Sequence, residues 1–126
     1  MFEDYKEHLK SLLKFMTANG YTLKPYPKIV LNNKKQDGLF ITTGYYNPET
    51  MTVTVFTNQR HEKDVLRSAA HEFIHHKQNV EGRLGKDAYS SDKITEDEKL
   101  IGLEREAYMY GNLAFRSWTE YEQKKQ

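Results

Sequence analysis

Two histidines four residues apart with a glutamate beside the first, His71-Glu72-Phe73-Ile74-His75, are the residues of this chain with the clearest capacity for chemistry. A helix turns about 100° per residue, so His71 and His75 fall one turn apart on one face and can aim two imidazoles at one metal ion. Glu72 then stands beside the ion without ligating it, where a general base would act on metal-bound water. Zinc suits such a site, since it accepts imidazole nitrogen, has no redox chemistry and in catalytic centres keeps one coordination position open. Small residues (Ser68, Ala69, Ala70) precede the motif, and apolar Phe73 and Ile74 fill its variable positions. The plainest alternative is a surface helix carrying several histidines and no metal.

The elements that must position these residues belong to one short chain. Its 126 residues suffice for one domain with a modest core, too few for two. Nine tyrosines, six phenylalanines and one tryptophan point to a core that leans on aromatics. With 19 basic and 18 acidic residues interspersed, the sequence shows no nucleic-acid footprint. The absence of cysteine excludes disulfides and thiolate ligands, so any metal takes nitrogen and oxygen donors.

Residues 2–19 predict an amphipathic helix: Phe2, Tyr5, Leu9, Leu12, Leu13 and Met16 recur at three- and four-residue steps, and Asn19-Gly20 ends the run. It is expected to pack across the back of a sheet; a less favoured role is a removable cover over the site. Residues 28–32 and 39–43 read as short strands, with a turn at 44–49 and an alternating strand at 51–57. The strand ahead of the motif helix either serves as a platform for extended substrate or is simply half-buried. The motif helix is expected over 62–80, stopped near Gly82 and Gly85. His76 is expected to be a supporting or surface residue, and His61 a solvated loop histidine. Residues 83–94 are polar and read as a rim loop or a connector. Thr95 and Glu98 then fit a capping box, opening a helix to about residue 121.

That last helix carries an apolar stripe of Leu100, Leu103, Ala107, Tyr110, Gly111, Ala114, Phe115, Trp118 and Tyr121. Glu104 falls inside the stripe, whereas Glu106 turns to the polar side with Glu120. A carboxylate on a core-facing stripe needs a partner, and a metal ion is the simplest one. Ala107 and Gly111 would let this helix approach the motif helix closely. Two alternatives stay open: a buried ion pair of Glu104 with an arginine such as Arg67, and Glu106 as ligand in its place.

The motif followed by Leu103-Glu104-Arg105-Glu106-Ala107-Tyr108 resembles the gluzincin class of zinc metallopeptidases, whose third ligand is a glutamate on a later helix. It is similar to the very short members called minigluzincins and to small HExxH proteins of tailed bacteriophages. The likeness extends to Arg60-His61, Asp64-Val65-Leu66-Arg67-Ser68 and His75-His76-Lys77-Gln78, and to Glu106-Ala107-Tyr108, Gly111-Asn112-Leu113 and Phe115-Arg116 in the last helix; it spans roughly residues 44–121. In related gluzincins the ligand glutamate is followed three residues later by alanine, which maps to Glu104 and Ala107. Many carry Asp or Asn four residues after the ligand, where this chain has Tyr108. No transition-state-stabilising His or Tyr is assigned by motif, and Tyr108 and Tyr89 are the candidates.

The resemblance implies a minimal α+β zincin-like domain over 1–126: an N-terminal helix, a small, mostly antiparallel sheet of about three strands, the motif helix, and a long C-terminal helix carrying the third ligand. It implies a zinc metalloendopeptidase with Zn2+ on His71, His75 and Glu104, and with Glu72 as general base. The alternative is a catalytically idle zinc-binding interaction or phage structural module. A nucleic-acid-associated protease is disfavoured by the near-neutral charge. The expected partner is a protein or peptide substrate, with no nucleic acid and no membrane, and the expected state is a monomer. Residues 1–15 lack the apolar run of a signal peptide and no segment reaches transmembrane length, so the expected location is the cytoplasm, that of the host if a phage encodes the chain.

Overall fold

A computed structural model describes residues 2–36, 42–84 and 94–125. In chain order they form helix α1 (Phe2–Ala18), strands β1 (Lys28–Asn32), β2 (Gly44–Asn47) and β3 (Thr52–Phe56), and helices α2 (Glu62–Val80) and α3 (Ile94–Lys124). This is the α+β architecture expected. The sheet has the order β1-β3-β2, with β1 parallel and β2 antiparallel to β3. It is therefore mixed, with one pairing of each kind. No described helix is long and apolar enough to cross a membrane.

The core is built around α2. Its buried stripe of Val65, Leu66, Ala69, Ala70, Phe73 and Ile74 meets the sheet on one side and both other helices on the other. Burial of each larger apolar side chain contributes roughly 1.5–3 kcal/mol. Leu9, Leu12, Leu13 and Met16 supply the buried face of α1. That face packs on α2 and α3, not across the back of the sheet as expected. Polar contacts fix the arrangement: His8 Nδ1 meets Glu62 Oε1 at 2.7 Å, and Trp118 Nε1 donates to Ser11 Oγ at 2.9 Å. The aromatics of α3 are what α1 selects over the sheet.

The strand expected over 39–43 falls mostly outside the described residues. Residues 44–47, expected to begin a turn, form β2 instead, and the turn sits one step later at 48–51. Asn47 builds it by accepting from Glu49 N–H through its side-chain oxygen at 3.0 Å, an Asx turn. Met51 closes the turn at a φ of 50°, a left-handed position, and so β3 starts at Thr52 and not at Met51. The motif helix has the bounds expected, with His61 capping it by accepting from Lys63 N–H. Helix α3 starts at Ile94, so Thr95 lies inside the first turn and is not its N-cap; helix ends move by a residue or two. The helix also runs on to Lys124, three residues past its expected end.

Candidate metal centre

Helix α2 carries His71, Glu72 and His75, and α3 brings Glu104 to them. His75 Nε2 lies 2.6 Å from Glu104 Oε1, and His71 Nε2 lies 3.6 Å from Glu104 Oε2. The donor atoms of His71, Glu72 and His75 lie within 4.8 Å of one another, a group able to hold a metal ion. Of the two open alternatives for α3, neither describes the structure: Arg67 pairs with Asp64 at 3.2 Å, and Glu106 pairs with Arg83 at 2.8 Å, away from the imidazoles.

The approach of the helices follows from Gly111. A Cβ built there would lie 3.0 Å from His71 Cα and 3.1 Å from His71 N, both backbone atoms that cannot move aside. Glycine is therefore what lets α3 sit against the backbone of His71, and Glu104, two turns earlier on the same stripe, reaches the imidazoles as a result.

Polar partners hold one imidazole and leave the other to packing. Gln78, fully buried, accepts from His75 Nδ1–H at 2.9 Å and donates to Leu103 O at 2.9 Å and to Glu106 Oε1 at 3.3 Å. Arg83 closes the chain by gripping Glu106 with two guanidinium nitrogens. With Nδ1 donating to the amide, Nε2 is the nitrogen presented to Glu104. His71 Nδ1 is the one buried side-chain polar atom without a partner among the described residues. Its ring is placed by packing, with the Tyr108 ring centred 4.3 Å away.

Charge is tuned at each group. Burial pushes the Glu72 carboxyl up, opposed by His71 and His75 and reinforced by Glu104. The imidazoles of His71 and His75 hold the Glu104 carboxyl well below the usual carboxylate range. Burial works against charge on His75, but its bonds to Glu104 and Gln78 outweigh it and raise the ring.

The four residues line a cleft of about 480 Å³ together with Gly44, Tyr45, Arg67, Tyr108 and Asn112. No residue of α1 and none beyond Asn112 lines it, so neither described terminus covers the site. The strand ahead of the motif helix, β3, is paired on both sides and cannot accept another strand. The edge at the cleft is β2. Phe56 N–H donates to Thr43 O at 3.1 Å, which fixes the alternation of the antiparallel ladder. Tyr45 then faces β3, while Gly44 and Tyr46 turn their N–H and C=O groups to the open edge. Gly44 is required there, because a Cβ would lie 2.8 Å from Thr54 O, a backbone atom; Glu72 Cγ, at 3.6 Å, would be in ordinary contact.

Several structural partners escaped the sequence reading. His76 bonds to none of the four site residues: it is fully buried, takes a bond from the Tyr46 hydroxyl at 2.7 Å and donates through Nε2 to Pro25 O at 2.7 Å. It thus ties β2 and the approach to β1 onto α2. Arg60 does the same at the other end, donating to Phe56 O at 2.8 Å and Ser68 Oγ at 2.6 Å. Tyr89 lies outside the described residues. Compared with family models, curated proteins and solved structures, the chain matches none. Within the structure the class is thus defined by the site alone: an α+β domain with a His-Glu-His group fit to bind metal.

Proposed function

We propose that this chain is a zinc-dependent metallopeptidase of the gluzincin type, with His71, His75 and Glu104 as ligands and Glu72 as general base. The observation that carries the reading is the arrival of Glu104, from a separate helix, at both imidazoles of the motif. The donor set, two imidazole nitrogens and a carboxylate drawn from two helices, fits zinc in kind, and Glu104 already reaches both rings, at 2.6 Å from His75 Nε2 and 3.6 Å from His71 Nε2.

Zinc in that position supplies Lewis acidity, lowering the pKa of a water toward neutrality and polarising a carbonyl. The protein's own groups do the rest. Glu72, mostly buried with its carboxyl raised, takes a proton from the attacking water and passes it to the leaving amine. Gly44 and Tyr46 offer main-chain bonds to an extended substrate, holding its backbone along the cleft. Gln78 fixes the orientation of His75.

The test is metal content by mass spectrometry for wild type and Glu104→Ala purified without added metal, followed by a peptide-library cleavage screen with Glu72→Gln as control. Stoichiometric zinc that falls sharply in Glu104→Ala, with cleavage lost in a zinc-loaded Glu72→Gln, is the expected result. A wild type that takes up no zinc overturns the reading, and cleavage retained by Glu72→Gln removes Glu72 from its role.

A further inference from the structure

The sheet has a second open edge, on the far side of β3 from the cleft. Lys28 N–H donates to Met51 O and Asn32 O accepts from Thr57 N–H, both at 2.9 Å. In a parallel strand each residue turns both main-chain groups to one side, and the side alternates along the chain. Lys28, Val30 and Asn32 therefore face β3, while Ile29 and Leu31 present N–H and C=O outward, with no strand beside them among the described residues.

The side chains of the same two residues line a groove. Because α1 packs on α2 and α3, it stands off from β1 and leaves a cavity of about 330 Å³ between them. The half-buried Ile29 and Leu31 form the strand wall, the exposed Lys6 and Lys10 stand on the helix side, and the buried Leu9 and Leu13 close its floor. The charged side chains described at the groove are both lysines, and the neighbouring stretch 24–36 adds four more lysines and no acidic residue. Glu7, between the two helix lysines in sequence, does not line this groove but a neighbouring cavity with Ser11 and Tyr121, to which Lys10 also contributes.

We propose that this groove docks an acidic, extended segment of another protein, added as a fourth strand beside β1. An open strand edge asks for extended backbone, the half-buried Ile29 and Leu31 receive every second side chain, and Lys6 and Lys10 select carboxylates. A second copy of this edge would set lysine against lysine, and a lipid surface offers no main-chain groups to Ile29 and Leu31. The lysines also guard the edge against uncharged chains. The inference is independent of the hydrolytic reading, since nothing in it involves the metal centre.

The test is amide hydrogen exchange by NMR on the full chain, with and without a labelled peptide alternating glutamate with valine. Saturable binding should slow exchange at Ile29 and Leu31 by about tenfold or more, leaving Val30, already bonded to β3, unchanged. Lys6→Glu with Lys10→Glu should weaken binding roughly tenfold. Both side chains are exposed, and unchanged protection of the core amides in that variant would verify its fold. A lysine–valine peptide should not bind, and N-methylation of the glutamate–valine peptide should abolish protection. Absence of binding, equal binding of the lysine peptide, indifference to the charge reversal, or protection at Gly44 and Tyr46 in place of Ile29 and Leu31 would each overturn the proposal.

Discussion

Replacing Gln78 by leucine separates the support of the metal centre from the metal centre itself. Gln78 is fully buried and makes three bonds, to His75 Nδ1, Leu103 O and Glu106 Oε1. Leucine keeps much of the volume and removes all three. The His75 N–H is then left buried without a partner, at about 1–3 kcal/mol, while Leu103 O, inside α3, loses only its second bond, and the apolar gain of the leucine offsets part of this. A net loss of about 1–3 kcal/mol in the metal-free protein follows. The imidazole, no longer fixed by its outer nitrogen, should bind zinc about 10–100-fold more weakly, equivalent to about 1.4–2.8 kcal/mol. Competition against a fluorescent zinc chelator measures the second quantity, and urea denaturation of the same metal-free samples measures the first. Stability that falls while zinc affinity stays within about twofold of wild type would refute the reasoning, because Gln78 would then hold the helices together without governing the ligand.

Gly111→Val should push α3 off α2, because its Cβ would meet His71 backbone at 3.0 Å; a cost of about 1–3 kcal/mol and weakened zinc binding are expected by the same two assays. His76→Leu should cost about 2–4 kcal/mol in denaturation, through the orphaned Leu23 and Pro25 carbonyls, yet leave zinc affinity unchanged, since His76 bonds to none of the four site residues. Gly44→Ala should leave zinc bound but lower kcat/KM for peptide cleavage by about tenfold or more, as the new Cβ forces the β2 edge away from Thr54 O.

How far the fold was legible depended on how local its causes are. Helix α2 was predictable because its apolar stripe and its glycine stop lie in or beside its own stretch, although its cap, His61, read only as a solvated loop histidine. Glu104 was legible for the same reason, as a carboxylate breaking an apolar stripe at helical spacing. The sheet was less so. Glycine and an Asn-Pro pair made residues 44–49 read as a turn, when the Asx turn needed only Asn47 onward and Gly44 is demanded by the close approach of Thr54 O, a partner ten residues away. The parallel pairing of β1 with β3 leaves no mark in either strand. Gln78 carried a signal that went unused: it continues the four-residue step of Leu66, Ala70 and Ile74, so a polar residue there had to be buried. His76 and Arg60 gave no comparable signal, since most of their partners are main-chain oxygens, whose positions no residue type announces.

The two helices that meet at Gly111 contribute their donors from opposite ends of a long excursion of the chain. A metal shared by His75 and Glu104 would close a ring of about thirty residues, and in the chain-entropy account of crosslinks such closure stabilises by roughly 3–4 kcal/mol. Metal and fold would then be fastened by the same knot. Stripping the ion would do more than silence hydrolysis: it would return to the unfolded chain the freedom that the ring had withheld, leaving Gln78 and the Arg83–Glu106 pair to hold the excursion shut. In a cell poor in zinc, such a protein would be lost through turnover of loosened chains as well as through idle ones.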